Sequence, residues 1–202
     1  ALNKDGSTKC FSCGEFKPAH KVVDKVIHTP SNFLEGSFFP LKARGINEDT
    51  CKRYGYKIGK CENKPCHIAT FYNNERQPVA QKLRFEDKTF KCINSPSYFF
   101  GQHLYPNGGR KLTITEGEID CLTVSQIVGD NKYPVVSLPS GAQNAKTVFR
   151  KHINWLNKFE QVILMFDMDD VGQKAIEDAA HILPVGKVKV AKLPLKDPNE
   201  ML

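Results

Sequence analysis

Three carboxylates follow predicted strands in the C-terminal half of the chain. Glu116 comes directly after the apolar run 112–115, and Asp167 directly after the apolar run 162–166, with Asp169 two residues further on. Because the carboxyl ends of parallel strands meet at one edge of a sheet, we expect these side chains to lie together. Oxygen ligands gathered in this way suit Mg²⁺ or Mn²⁺, and two such ions can clamp the attacking and leaving oxygens of a phosphoryl transfer. The spacing therefore predicts a metal-dependent phosphoryl-transfer site.

Two other interpretations of the aspartates stay open. Asp169 and Asp170 are good helix N-caps, and capping is the favoured interpretation for any one aspartate taken alone. The run 167–171, Asp-Met-Asp-Asp-Val, is also similar to the Asp-x-Asp phosphatase signature, in which the first aspartate is a nucleophile. That signature normally opens its domain, whereas Glu116 and two predicted helices precede it here. The matched strand ends favour the metal site.

Residues 111–193 alternate between strand-like and helix-like patterns, which indicates a parallel sheet with helices on its faces. The predicted strands are short, apolar and rich in β-branched residues, as expected when both faces are covered. We predict strands at 112–115, 134–138, 162–166 and 188–193. We predict helices at 119–128, 145–156 and 172–183. The fold class is thus α/β.

Residues 41–110 are typical of a smaller α+β unit. Asn47 is a plausible helix N-cap, and the short helix is expected to end near Gly55. Strands are predicted at 56–59, 67–72, 79–85 and 89–93, with a hairpin connection at 73–76. Residues 17–40 are expected to form a linker or loosely packed arm, with Phe38 and Phe39 pinning its end.

Four cations lie on the adjacent strands before the acidic motif, at Lys82, Arg84, Lys88 and Lys91. Lys82 and Arg84 are two residues apart, so they face the same side of one strand. Such side chains can hold the phosphates of a template or a triphosphate without reading sequence. A solvated edge strand protected by lysines explains the same pattern equally well. Phe85 and Phe90 interleave with the cations, although such residues are more often core than base-stacking surfaces.

The 202 residues carry a net charge of +7, which suits a polyanionic partner, and 40% are hydrophobic, enough for a core. No apolar run approaches the about 20 residues of a membrane span, so no membrane partner is expected. Seven cysteines without an export signal indicate free thiols or metal ligands in a reducing cytoplasm. Cys10 and Cys13 are half of a zinc knuckle, whereas structural zinc needs four ligands. Both ends of the chain are expected to be cut.

Two motifs carry a resemblance to a known fold. Residues 115–120, Thr-Glu-Gly-Glu-Ile-Asp, and residues 166–169, Phe-Asp-Met-Asp, resemble the signature motifs of the Toprim fold. That fold is shared by bacterial-type primases, type IA and type II topoisomerases and some nucleases. Residues 41–46, Leu-Lys-Ala-Arg-Gly-Ile, and 196–200, Lys-Asp-Pro-Asn-Glu, resemble segments that flank Toprim in primases. The similarity, over about residues 36–200, is strongest to the bifunctional primase–helicases of T7-like phages.

The resemblance implies DNA-templated synthesis of short RNA primers from ribonucleoside triphosphates. Glu116 would then be a metal ligand and general acid/base, Asp167 and Asp169 would hold the metals, and Asp197 would join or support them. The four cations at 82, 84, 88 and 91 would handle nucleotide and template. Implied partners are single-stranded DNA, a linked replicative helicase and a DNA polymerase, in the cytoplasm of an infected bacterium. An inactive, DNA-binding remnant is the non-enzymatic alternative, and a Toprim nuclease or topoisomerase is a weaker enzymatic one.

The resemblance also implies a domain order. Residues 1–16 would be the second half of a truncated zinc ribbon, holding Zn²⁺ through Cys10 and Cys13 only if the ribbon is completed. Residues 17–40 would be the linker, residues 41–110 the α+β subdomain for template and nucleotide, and residues 111–202 the Toprim catalytic subdomain.

Overall fold

A computed structural model describes residues 8–9, 16–17, 30, 32–129, 132–167, 169–194 and 197–201, with backbone alone at 8–9, 16–17 and 201. The strands within these residues are β1 (Thr8–Lys9), β2 (Phe16–Lys17), β3 (Gly36–Ser37), β4 (Tyr56–Cys61), β5 (Lys64–Tyr72), β6 (Pro78–Phe85), β7 (Phe90–Ile93), β8 (Gly109–Thr115), β9 (Val135–Ser137), β10 (Phe159–Met165) and β11 (Val188–Val190). The α-helices are α1 (Glu48–Tyr54), α2 (Glu118–Ile127), α3 (Ala145–Lys151), α4 (Ile153–Leu156) and α5 (Asp170–Ile182). Short 3₁₀ turns lie at Lys42–Arg44, Gln102–Leu104, Ala142–Asn144 and Pro198–Met201.

An antiparallel sheet of five strands occupies the first half, in the order β3-β4-β5-β6-β7. Asn73 closes the predicted hairpin between β5 and β6, because its Oδ1 accepts hydrogen bonds from the backbone N–H groups of Glu75 at 3.0 Å and Gln77 at 2.9 Å. Asp87 closes the next turn in the same way, accepting from Thr89 N–H at 2.9 Å. The predicted hairpin is confirmed, and these side-chain bonds set the strand register.

The helix predicted after Asn47 is also confirmed. Asn47 Oδ1 accepts from Thr50 N–H at 2.7 Å, and Gly55 ends α1 at φ 74°, a backbone conformation that glycine adopts without strain. Upstream, Gly36 and Ser37 hydrogen-bond to β4, so the end of the predicted linker adds an edge strand. Phe39 is half exposed; the buried anchor of this segment is Phe33. The predicted domain boundaries stay predictions.

A parallel sheet in the order β11-β10-β8-β9 forms the second half, as the strand–helix alternation predicts. One face of its central strands is fully buried, at Leu112, Ile114, Val162 and Leu164, whereas Thr113 and Ile163 on the other face are partly buried. The prediction of one helix over 145–156 is wrong, because the chain breaks at His152 into α3 and α4. The His152 ring lies 2.7 Å from the Ser97 carbonyl oxygen, a contact with a distant segment that a local pattern does not show.

The two sheets share one core at α2. Ile119 and Leu122 of α2 pack in the same buried cluster as Tyr54 and Phe71 of the first half. The Tyr54 hydroxyl donates to the Val135 carbonyl oxygen of β9 at 2.9 Å, which ties α1 to the parallel sheet. The start of α2, just beyond β8, therefore lies against the open face of the antiparallel sheet. No helix in the described part of the chain is long and apolar enough to cross a membrane.

Candidate active site

Glu116 and Asp167 lie at the same edge of the parallel sheet. β8 and β10 are neighbours in parallel register, with Thr115 opposite Met165, so the residues that follow emerge side by side. Burial raises the pKa of the Glu116 carboxyl, and the charges of Asp167 and Asp169 raise it further. The three carboxylates thus interact electrostatically, as expected from their places after the strands.

One oxygen of Glu116 lacks a partner. Its Oε2 is buried without a hydrogen-bond partner among the described residues, while hydrogen bonds from the backbone of Ala142 and Asp167 to the carboxyl oppose the rise in its pKa. Leaving a buried acceptor unsatisfied costs about 1–3 kcal/mol, and more for a charged group, so this atom suits a cation. In the described residues, no three His, Cys, Asp or Glu side chains are arranged to hold a metal by themselves. An ion here would need further oxygens from water or substrate, as Mg²⁺ commonly does.

Asp120 is a further member of the acidic cluster. Burial raises its pKa to about 7, and the charges of Asp197 and Asp167 add to the rise. It lies in the first turn of α2, shortly after Glu116 in the chain. Asp120 therefore connects the predicted Asp197 to the strand-end carboxylates.

Asp169 caps the helix that follows it. Its Oδ1 caps α5 by accepting a hydrogen bond from Gly172 N–H at 2.8 Å. A Cβ at Gly172 would overlap the backbone oxygen of Asp167, so α5 begins in close contact with the end of β10. The capping role is present, and it fixes the position of the loop that carries Asp167.

Lys82 and Arg84 face the acidic cluster from the antiparallel sheet. Lys82 Nζ donates to both carboxylate oxygens of Glu118, at 3.0 and 3.3 Å, and both side chains are largely buried. Lys82, Arg84, Glu116 and Asp120 line one cavity of about 310 Å³. The site thus has a cationic wall and an anionic wall.

The other two predicted cations lie elsewhere. Lys88, in the β6–β7 turn, lines a neighbouring cavity of about 480 Å³ together with Lys42 and Arg44. Lys91 is paired with Leu83 across the two strands, so its side chain projects from the opposite face of the sheet to that of Lys82. Its Nζ lies 2.6 Å from Oε1 of the exposed Glu62. Lys91 therefore matches the solvated-edge alternative, while Lys82 and Arg84 match the binding hypothesis.

Asn199 is a structural residue of the site that sequence reasoning missed. Its Nδ2 donates to Thr123 Oγ1 of α2 at 2.8 Å and to the Arg44 carbonyl oxygen at 3.0 Å, and its Oδ1 accepts from Arg44 Nη1 at 3.1 Å. These bonds fix the segment that carries Asp197. Cys10 and Cys13 lie outside the described residues, so the partial zinc site stays a prediction.

Two family models match the chain in the order of its two sheets. Residues 36–94 match the N-terminal a+b fold of the bacteriophage T7 DNA helicase/primase, and residues 113–202 match a Toprim-like model. The antiparallel sheet lies in the first match, and the parallel sheet lies in the second except for the start of β8. The Toprim resemblance of the acidic motifs is confirmed.

One related protein and two solved structures agree with these matches. The DNA helicase/primase of Enterobacteria phage T3 is 41% identical over 217 residues, covering 99% of this chain and 38% of that protein. The crystal structure of the primase fragment of the bacteriophage T7 primase-helicase is 43% identical, with a TM-score of 0.79 over 98% of this chain and 86% of that one. Another structure holds the bacteriophage T7 lagging-strand DNA polymerase with primase domains of two subunits bound to an RNA/DNA hybrid and dTTP. There the matched chain is 47% identical, with a TM-score of 0.78 over 83% of this chain and 85% of that one.

The chain spans little more than a third of the phage T3 protein and nearly all of the T7 primase fragment. The similarity covers both sheets, the acidic edge and the strand that carries the cations. The chain therefore belongs to the T7 and T3 helicase/primase family, of which it spans the Toprim-containing primase part.

Proposed function

We propose that the chain is a DNA primase that makes short RNA primers on a single-stranded DNA template. The observation that carries this proposal is the cavity in which Glu116, with its unpartnered buried oxygen, faces a wall formed by Lys82 and Arg84. Joining two nucleotides requires sites for divalent ions and for phosphates. The anionic wall suits the ions, and the cationic wall suits the phosphates. Membership of the helicase/primase family supports the same activity.

The acidic residues fit a divalent ion, most simply Mg²⁺ or Mn²⁺. Glu116, Asp167 and Asp169 would hold it, and two ions are the proposed complement, with Asp197 and Asp120 close by. When bound, such ions lower the pKa of an attacking hydroxyl and neutralise charge on the leaving group. Zinc would be bound by Cys10 and Cys13 only with a completed ribbon.

The residues of the chain would act on the substrates as follows. The 3′-hydroxyl of one ribonucleotide attacks the α-phosphate of the next, an O–P bond forms, and pyrophosphate leaves. Glu116, which follows β8 and lines the same cavity, would accept the hydroxyl proton as general base. Lys82 and Arg84 orient phosphates across the cavity. No covalent enzyme intermediate is required.

The proposed partners follow from the family. The phage T3 relative is a helicase/primase, and the T7 primase domains contact a DNA polymerase and an RNA/DNA hybrid. We therefore propose single-stranded DNA, ribonucleoside triphosphates, a linked helicase and a DNA polymerase as partners. The phage relatives support the cytoplasm of an infected bacterium as the place of action.

One assay separates this proposal from its alternatives. The chain is incubated with labelled ribonucleotides, Mg²⁺ and mixed single-stranded DNA, and the products are resolved by size. The proposal predicts short RNA that requires both the template and the ion. DNA binding without RNA would identify an inactive remnant, and hydrolysis of a phosphomonoester without RNA would identify a phosphatase.

A further inference from the structure

Phe90 is an aromatic side chain exposed at the candidate site. It lies on β7 opposite Arg84 in the register, and its exposure is 54%. The neighbouring Phe85 instead packs against the small apolar cluster of Cys61, Cys66, Ile68 and Leu83. Of the two phenylalanines among the basic residues, one thus belongs to the core and the other presents its ring to solvent.

The ring of Phe90 is held beside two cations. Lys82 Nζ lies 5.1 Å and Arg84 Cζ 5.9 Å from its centroid. The turn before β7 is fixed by Asp87, which accepts from both the N–H and the Oγ1–H of Thr89. A ring on a closed hairpin loses little conformational freedom when a ligand covers it, so its position is suited to binding.

Two cavities meet at this ring. On one side Phe90 lines the cavity that holds Glu116 and Asp120. On the other side it lines a more open cavity of about 610 Å³, together with Cys92, Asn94, Ser95, Pro96, Pro139 and Ser140. Lys82 lines both cavities. A planar apolar ligand in the open cavity would thus place an attached anion beside the cations and toward the acidic cluster.

We propose that Phe90 is a stacking surface for a nucleobase whose phosphate is bound by Lys82 and Arg84. Every base presents a flat π-face, so an exposed aromatic ring next to cations binds nucleotides with little preference for sequence. Lys82 Nζ has three donors, of which Glu118 takes two, and one is left for a phosphate oxygen. The proposal rests on the proposed function, because it assigns a subsite within the same cleft. The base belongs either to the DNA template or to a ribonucleotide.

Two binding measurements distinguish these sources. In one, the full chain is titrated into a single-stranded DNA oligonucleotide that contains 2-aminopurine, whose fluorescence is quenched by stacking. In the other, ATP with Mg²⁺ is titrated into the chain by calorimetry. Phe90→Ala removes the ring, Phe90→Leu keeps apolar bulk without a π-face, and Phe90→Trp keeps the π-face. Tyr133→Ala is the matched control, since Tyr133 is also exposed, with Lys132 Nζ 5.5 Å from its ring centroid, but lines a different cavity.

If the stacked base belongs to the template, we expect Phe90→Ala and Phe90→Leu to bind the DNA oligonucleotide about ten-fold more weakly; if it belongs to a ribonucleotide, we expect the same loss for ATP. Phe90→Trp should restore the affinity, and Tyr133→Ala should leave it unchanged. Wild-type affinity of Phe90→Ala in both arms would overturn the proposal, as would full restoration by Phe90→Leu. The result is independent of primer synthesis. Weakened binding in a chain that makes no RNA would refute the proposed function alone, and unchanged binding in a chain that does make RNA would refute the stacking subsite alone.

Discussion

The two sheets of this protein supply opposite charges to one cleft by different structural means. The parallel sheet supplies carboxylates from the ends of adjacent strands, where Glu116 and Asp167 emerge side by side. The antiparallel sheet supplies cations from the middle of β6, where Lys82 and Arg84 project from one face. Residues that follow neighbouring parallel strands come together because the strands end at the same edge of the sheet. Residues within a strand come together only if their side chains project from the same face of the sheet. The acidic group is therefore compact, and the basic group is divided.

The division has an energetic consequence. Lys82 is largely buried against Glu118, so removing either partner leaves a buried charge uncompensated. Lys91 and Glu62 form an exposed pair, a type that contributes about 0–1 kcal/mol. The same residue type thus has a buried, paired position in one place and a solvated position in the other. Single substitutions in the acidic and basic groups can test that contrast.

Glu116→Gln should lower primer synthesis at least about a hundred-fold, because glutamine keeps the shape but neither accepts the proton nor carries the charge. The free energy of unfolding should not fall, since the variant removes a buried carboxylate whose pKa is raised. Synthesis is measured on single-stranded DNA with Mg²⁺, and folding by thermal unfolding. Glu160→Gln, an exposed position on β10 of the same sheet, is the control and should keep normal activity. Near-normal synthesis by Glu116→Gln would remove Glu116 from the chemistry.

Gly172→Ala should destabilise the fold by about 1–3 kcal/mol, because the added methyl group overlaps the backbone oxygen of Asp167. The displaced loop should also lower synthesis. Chemical denaturation and the primer assay measure the two effects. Gly109→Ala, on β8 of the parallel sheet, is the control, since its Cβ would meet only ordinary contacts at 3.8 Å. Equal behaviour of the two variants would show that the start of α5 does not fix the acidic edge.

Asp120→Asn should stabilise the protein at pH 8 in the presence of EDTA. The folded-state pKa of Asp120 is raised to about 7 from 3.8, so the folded state binds more protons between these values and its stability falls as pH rises through them. The gain at pH 8 should be on the order of 2–4 kcal/mol and should vanish near pH 4. Asp87→Asn should have the opposite sign, because hydrogen bonds from Thr89 lower the pKa of Asp87. A pH-independent effect of Asp120→Asn in thermal unfolding would contradict the clustered carboxylates.

Arg84→Ala should reduce the salt dependence of single-stranded DNA binding by about one unit of slope, because one phosphate contact is lost. Lys91→Ala should leave the slope unchanged, since Lys91 lies on the other face of the sheet and pairs with Glu62. Binding is measured by fluorescence anisotropy over a series of salt concentrations. Equal losses for the two variants would mean that DNA covers both faces of the hairpin.

The sequence predicts the acidic edge well because that edge depends on the order of the strands. Glu116 and Asp167 each follow an apolar run, and the strand–helix alternation is sufficient to bring such positions together. Asp120 needed more than a local pattern, because its environment includes Asp197 from the end of the chain. That segment is fixed by Asn199 through bonds to Thr123 and Arg44, which lie far away in sequence.

The basic wall was harder to predict, because the face of the sheet from which each cation projects depends on the strand register. The period of two places Lys82 and Arg84 together, but the face of Lys91 follows from a turn held by the side chain of Asp87. The exposure of Phe90 was equally hard to predict, because it depends on the register that pairs Phe90 with Arg84 on β7, an edge strand. Hydrophobicity alone favours burial for such a residue, and here the sheet has no neighbour to cover it.

The central claim is that the two walls act on one substrate complex. Crystals of the chain with Mn²⁺, a single-stranded template and a non-hydrolysable ribonucleoside triphosphate allow anomalous scattering to locate the ion and difference density to locate the phosphates. If the two walls act together, Mn²⁺ will be bound by Glu116 and Asp167, with phosphate oxygens between the ion and Arg84. Mn²⁺ bound away from these carboxylates, or a triphosphate outside the cleft between the two sheets, would contradict it.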